Sequence, residues 1–296
     1  MRLLLILLPL LLLGVTRLVP ESTDLPTCGT GTTRVVPCFA SGGTDFTALD
    51  SCKGAWLLYS DDVQTGAEAD RCAGAGQAGS NPLTTTGSPT FTGISGPSGT
   101  AGLQDAVSLS GAGQYFNLAD NSAFDSVDYS LGCWVKQDAE SGRIVMRKGL
   151  STTVTMGIYT SVSAIRGHNK SSTDEEQSPT LTNTPTIWSL FSMRVDTGAA
   201  STVEIFKNGV DVCTPPCRAT TARADDTGSI GILADRVGGF PWNGDAMECH
   251  YFDPPLTDAQ LCEVTLCGLD GTADGTARES LISNACTCAS IGNVCC

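Results

Sequence analysis

Histidine occurs only twice in this 296-residue chain, at His168 and His250, and 17 basic residues stand against 31 acidic ones. The first scarcity leaves little material for imidazole metal sites or a Ser-His-Asp device. The second gives a formal net charge of −14 without any Lys/Arg cluster. Partners held by a concentrated positive field, nucleic acid and anionic lipid surfaces among them, are therefore excluded. No Gly-x-Ser-x-Gly elbow or phosphate-binding glycine loop is present. Long apolar runs are missing too. The stretch Leu3 to Val15 has 13 residues, short of the roughly 20 that a membrane-spanning helix needs and right for the apolar region of a secretory signal. Residues 1–20 are read as a signal peptide with Arg2 at its head; no Ala-x-Ala site follows, so the cleavage point is left open. No other membrane span is expected, and the chain reads as secreted, extracellular or cell-surface.

What the chain has in quantity is glycine (33), cysteine (14) and short alternating stretches. Fourteen cysteines form an even number, which suits disulfides in an oxidising compartment. Zinc is the rival for the dense "CTC" and terminal "CC", but neither Cys-x-x-Cys spacing nor a nearby histidine supports it. Three zones follow the signal: a Cys-containing arm at 21–53, a strand-rich body at 54–262, and a Cys-rich tail at 263–296 too polar for its own core. In the body, strands are expected in "AWLLYS" (55–60), "AVSLSGAGQYFNL" (106–118, two strands about a glycine turn), "YSLGCWVK" (129–136), "RIVMRKG" (143–149), "VTMGIYT" (154–160), "TIWSLFSMRVD" (186–196) and "TGSIGILAD" (227–235). Leu131, Cys133 and Val135 share one face and Trp134 takes the other, so that strand is expected to be covered on both sides. In "STVEIFKNGVDVC" (201–213) Asn208-Gly209 predicts a two-residue hairpin. Asn243-Gly244 is read as a second turn, leading into an alternating strand and an acidic-capped short helix at "LTDAQL". The fold class is all-β, an antiparallel β-sandwich with disulfide-rich N- and C-terminal extensions.

In this order, "VSLSGAGQYFNLADNSAFDSVDYSLGCWVK", "IWSLFSMRVDTGAASTVEIFKNG" and "PWNGDAMECHYFDPPLTDAQL" resemble the concanavalin-like lectin/glucanase jelly rolls, and their laminin-G-like branch most closely. The resemblance covers about 54–262 and implies a jelly roll that serves recognition. Two departures stand out. Met247 occupies the place of a family acid that helps hold a structural calcium, so that ion is not carried over. Cys133 and Cys249 fill inward positions that the family gives to small or apolar residues, and are candidates for a bridge between strands if their Cα atoms lie within about 7 Å.

The glucanases of this superfamily need two glutamates on one strand face, and no such run exists here. "TDEEQ" (173–177) reads as a solvated loop, His168 as surface loop and His250 as a partly exposed strand residue. No catalytic residue, metal site or cofactor is expected. For sugar binding, an aromatic platform with hydroxyl-gripping polar groups points to Trp242 and Asn243, Arg236, and Asp225 with Asp226; Trp242 capping the core and ordinary turn chemistry at Asp225-Asp226 are the alternatives. "CTPPC" suggests a local Cys213–Cys217 bridge, and Asn169 in "NKS" is a host-dependent glycosylation acceptor. The chain is expected to be a non-enzymatic adhesion or recognition module for extracellular glycan or a surface protein. The alternative is a subunit that self-associates into an extracellular filament, appendage or coat.

Overall fold

The computed structural model describes residues 44–59, 63–64, 67–74, 80–91, 96–97, 106–111, 113–139, 142–150, 153–161, 164–169, 175–177, 186–198, 202–213, 218–219, 227–271 and 278. All belong to the compact unit Arg34–Cys296; the unit Met1–Thr33 lies outside them. In chain order the strands are β1 (Cys52–Trp56), β2 (Val63–Gln64), β3 (Ala67–Glu68), β4 (Leu83–Thr86), β5 (Val107–Ser110), β6 (Tyr115–Leu118), β7 (Tyr129–Gln137), β8 (Arg143–Leu150) and β9 (Thr153–Thr160). They continue with β10 (Ile165–Asn169), β11 (Glu175–Gln177), β12 (Ser189–Asp196), β13 (Thr202–Lys207), β14 (Val210–Asp211), β15 (Arg218–Ala219), β16 (Ile230–Ile232) and β17 (Asn243–Phe252), and helix α1 (Asp258–Cys267) follows.

These strands form two antiparallel sheets packed as a sandwich. The first runs β1-β17-β7-β12-β13-β14, with β5 also on β17 and β15 on β13; the second runs β11-β10-β9-β8-β16-β6-β4-β3-β2. Alternation along β7 sets the layers. Leu131, Cys133 and Val135 turn inward to join Met146, Met156, Ile158 and Ile165 of the second sheet in the intersheet core. Trp134 turns outward into a second cluster with Phe46, Leu57, Met247, Phe252 and the helix residues Leu261 and Val264. The first sheet is thus covered on both faces, as its near-continuous apolar strand requires. Helix α1 starts at a capping box: Thr257 Oγ1 accepts from the Gln260 N–H at 3.3 Å, and Gln260 Oε1 accepts from the Thr257 N–H at 2.9 Å. Such a cap contributes about 1 kcal/mol.

Two Asn-Gly pairs behave differently. Asn208 and Gly209 both have positive φ (53° and 74°) and join β13 to β14 as the two-residue hairpin that the pair favours. Asn243-Gly244 is no turn; it opens β17, with Gly244 opposite both Leu109 and Gln137. Glycine is required there because φ is 134° and a Cβ would collide with the Lys136 carbonyl oxygen. The expected pair of strands in 106–118 also splits. β5 joins the first sheet and β6 the second, and Gly111 and Gly113, at φ 82° and 66°, lie on the segment between them. β1 starts at Cys52 rather than Ala55 and ends at Trp56, because Leu58 takes a left-handed φ of 58°.

Cys133 and Cys249 are bonded across paired strands with Cα atoms 4.1 Å apart, and Cys52 is bonded to Cys72. Cys213, Cys262 and Cys267 are also disulfide-bonded; Cys217, the expected partner of Cys213, lies outside the described residues. The inward aim of Cys249 depends on a bulge. Between Met247 and His250 the register of β17 against β7 slips by one residue, and Glu248 adopts a left-handed φ of 48°. Ala246 before the bulge and Cys249 and Tyr251 after it all face the intersheet core.

Candidate functional site

The outer face of the second sheet carries a hollow of about 460 Å³ over β8, β9 and β10. Strand parity supplies its side chains. Met146, Met156, Ile158 and Ile165 face inward, so the alternate positions Arg147, Gly157, Tyr159, Arg166 and His168 face out. Register then gathers them. Arg147, Gly157 and His168 lie in one row across the three strands, with Ile144, Tyr159 and Arg166 in the next. Glu175 of β11 is the register partner of His168. Tyr159 and His168 stack with ring centroids 4.9 Å apart, and Nε2 of His168 lies 2.8 Å from the Tyr159 hydroxyl.

One wall is the loop that joins β16 to β17. It closes on itself through the Trp242 N–H donating to the Leu233 carbonyl at 2.7 Å and the Gly238 N–H donating to the Asp235 carbonyl at 2.9 Å. The buried Asp235 carboxylate accepts from the Val237 and Gly239 N–H groups at 3.0 and 2.6 Å. Neither Gly231 nor Gly239 has room for a side chain: a Cβ on the first would strike the loop backbone at Ala234, and one on the second the Asp235 carboxylate. At the loop's end Phe240 takes a left-handed φ of 50°, lines the hollow and stays 58% exposed. Arg143 stands at the rim, and Arg147, only 9% exposed, at the floor. Burial pulls the Arg147 guanidinium below its ordinary pKa, offset in part by the negative charge of Asp235. Exposed apolar area, a stacked ring pair and guanidinium donors are the means by which a site packs against the apolar face of a small ligand and hydrogen-bonds its oxygens.

The residues named from sequence do not gather here. Trp242 is fully buried in the intersheet core, which corrects its reading as an exposed platform: two positions after Phe240, its ring turns inward. Asn243 is half-buried at the start of β17, and Arg236 is half-buried in the loop. Asp225 and Asp226 lie outside the described residues. Asn169 is fully buried with its Oδ1 accepting from the Tyr129 hydroxyl at 3.0 Å, which corrects the glycosylation reading, since the folded side chain has no access for a glycan. His168 sits on β10 rather than in a surface loop. His250 is likewise corrected from partly exposed to fully buried, because the face opposite Cys249 is covered by the second cluster. Sequence reading missed Arg143, Arg147, Tyr159, Arg166 and Phe240. The signal available for Arg147, Tyr159 and Arg166 was their outward parity on three consecutive strands; Arg143 and Phe240 had none.

A second polar constellation is sealed. Glu248, lifted out by the bulge, forms a fully buried two-pronged ion pair with Arg278, with the Arg278 Nη1 to Glu248 Oε2 distance at 2.9 Å. It also accepts from the Tyr59 hydroxyl at 2.5 Å, and the guanidinium lies 5.4 Å from the Trp134 ring centre. Burial and the Glu248 charge hold the Tyr59 phenol well above its ordinary pKa. Burial disfavours the Arg278 charge, but Glu248 outweighs it and raises that pKa. Both Glu248 oxygens are engaged and shielded from solvent, so this carboxylate anchors the fold rather than meeting a ligand. Among the described residues no cluster of three or more His, Cys, Asp or Glu side chains is arranged to hold a metal ion.

The molecule is thus an antiparallel β-sandwich with an arginine- and aromatic-lined hollow on one sheet. No family model matches the chain, and no curated protein matches it. Solved structures do. Domain 4 of AbnA, a GH43 extracellular arabinanase from Geobacillus stearothermophilus, in complex with arabinotriose, is similar at a TM-score of 0.50 and 16% identity, over 72% of this chain and 98% of that one. The Trypanosoma rangeli sialidase in complex with sialic acid is similar at 0.53 and 9%, over 73% of this chain and 33% of that one. The binding domain of Paraclostridial Mosquitocidal Protein 1 is similar at 0.52 and 10%, over 74% and 52%. The chain therefore spans about a third of the sialidase and about half of that binding domain. At these identities the likeness is one of fold.

Proposed function

We propose that this chain is an extracellular carbohydrate-recognition module of the laminin-G-like kind, acting without catalysis. The observation that carries the reading is the hollow on β8, β9 and β10. It joins an exposed, conformationally strained Phe240 to a Tyr159–His168 ring pair and guanidinium donors, and strain kept at an exposed aromatic residue points to contact with a ligand. Among the described residues that line it there is no pair of carboxylates, the arrangement that glycoside hydrolysis ordinarily uses. Disulfides among the described cysteines support an extracellular setting, and no helix among the described residues is long and apolar enough to cross a membrane. The arabinotriose-bound domain and the sialic-acid-bound sialidase support carbohydrate as the ligand class.

The test is a glycan array that includes arabinan oligosaccharides, read with wild type and Phe240→Ala. Specific binding that weakens about tenfold in the variant is expected, in line with loss of an aromatic sugar platform. Absence of any glycan signal, or release of reducing sugar from the bound glycan, would overturn the reading.

A further inference from the structure

The loop that walls the hollow has two flanks. It lies over β16 on the outer face of the second sheet, where a Cβ on Gly231 would strike the loop backbone at Ala234, Asp235 and Arg236. In sheet order β8 stands on one side of β16 and β6 on the other. Phe116 and Leu118 of β6 join the intersheet core, so Tyr115 and Asn117 face out, across the loop from the hollow. Leu83 of β4 is likewise inward, which turns Thr84 and Thr86 outward. Register sets Asn117 between Gly231 and Thr84, and Tyr115 opposite Thr86. We propose that this flank is a second glycan subsite, so that the ligand is a neutral oligosaccharide that fills the hollow and continues across the loop onto Tyr115, Asn117 and Thr84; the proposal rests on the carbohydrate-recognition reading.

The flank offers what a sugar contact needs. Tyr115 supplies a ring, and Asn117, Thr84 and Thr86 supply an amide and two hydroxyls, an uncharged set that both donates to and accepts from sugar hydroxyls. Tyr115 and Asn117 are half-buried and Thr84 is exposed. Among the described residues the Asn117 amide and the Tyr115 hydroxyl make no hydrogen bond, so neither is committed to holding the fold.

The loop itself is rigid and yet keeps apolar surface in water. The Leu233 N–H donates to the Val145 carbonyl at 2.9 Å and the Ile144 N–H to the Phe240 carbonyl at 3.3 Å, which ties the loop to β8 near both of its ends. Val237 on this loop is 69% exposed, the most exposed large apolar side chain among the described residues. One edge of the Tyr115 ring is seated against Gly238, where a Cβ would lie 3.0 Å from Cε1 and φ is 81°. A surface fixed in advance loses little freedom when a ligand settles on it. From β8 to β6 is two strand spacings, about 10 Å. A single sugar in the hollow does not bridge that distance, whereas a chain of a few units does.

The full chain is titrated by calorimetry with arabino-, xylo- and cello-oligosaccharides of two to six units, using wild type, Phe240→Ala, Tyr115→Ala and Asn117→Ala. In at least one series the hexasaccharide is expected to bind about tenfold or more tightly than the disaccharide. Tyr115→Ala and Asn117→Ala are each expected to remove most of that gain and leave disaccharide binding unchanged, while Phe240→Ala weakens both lengths. Asn117→Ala also deletes a buried oxygen that has no partner, so its thermal unfolding should not fall, and it decides the matter if loss of the Tyr115 ring loosens the loop. Affinity that is flat from two to six units and still sensitive to Phe240→Ala overturns the second subsite and leaves carbohydrate recognition standing. A gain with length that survives both flank variants overturns the assignment to this flank. Binding of none of the three series overturns the proposal, and a blank glycan array beside it overturns the carbohydrate reading as well.

Discussion

His250 makes the first sheet sensitive to acid. Its ring is fully buried and its pKa is lowered from 6.5 to about 3, chiefly by burial. The neighbouring Glu248 backbone offsets this only in part, and neither ring nitrogen makes a well-formed hydrogen bond. The ring stands between Ala55 of β1 and Gly132 of β7, and a Cβ on Gly132 would lie 3.0 Å from its Cε1. The folded state keeps the imidazole neutral, whereas the unfolded chain protonates it near pH 6.5. Stability from this group is therefore complete above that pH and is lost as pH falls towards 3. Linkage gives a loss of about 2 kcal/mol between pH 7 and 5 and about 3 kcal/mol by pH 4. His250→Leu, close in volume and without ionisable nitrogen, should remove this dependence. It should also leave stability at pH 7 equal or higher by about 1 kcal/mol, because a buried polar ring with no better partner than the Glu248 backbone disappears. Urea unfolding of the disulfide-intact protein at pH 7, 6 and 5 measures both effects. The quantity to follow is the difference between variant and wild type, which cancels the titration of the many surface acids. A difference that stays constant from pH 7 to 5 would refute the buried neutral imidazole.

Two further substitutions separate backbone from charge. Gly244→Ala should destabilise the fold by about 2 kcal/mol or more, measured by chemical unfolding, since φ of 134° and the Lys136 carbonyl oxygen both oppose a side chain; a neutral result would mean that the strand start is not held as described. Arg278→Met should cost about 3–5 kcal/mol by stranding the Glu248 carboxylate, while Glu248→Gln with Arg278→Met should cost clearly less than the sum of the single changes. Additive losses in that double-mutant cycle would show that the two side chains do not act as a pair.

Local pattern carried the layers of this fold and little of its site. The alternation of Leu131, Cys133 and Val135 against Trp134 made a strand with two buried faces visible, and Asn208-Gly209 announced a hairpin because both residues must adopt positive φ. The same dipeptide at Asn243-Gly244 misled, since the demand on Gly244 comes from a neighbouring strand rather than from chain reversal. The arginine-lined hollow was hidden for a similar reason. Arg147, Tyr159 and Arg166 become neighbours only once β8, β9 and β10 pair in one particular register, and no window along the chain contains that information. Phe240 and Trp242 show the limit most sharply. Both are aromatic, two residues apart in one loop, and only the backbone angles decide that the first faces the hollow and the second the core.

The slip at Glu248 also fixes how β17 is to be compared with other strands. Residues 243–247 and 249–252 are out of phase with each other, so an uninterrupted alignment onto a regular strand can be right for one half only. A gap of one residue at Glu248 brings both halves into correspondence. Placed without that gap, each position on the far side is matched with a residue from the opposite face, and a core cysteine is scored against a partner's outward side chain. Chain length at this one position, more than the chemistry of the residue that fills it, keeps Cys249 within reach of Cys133.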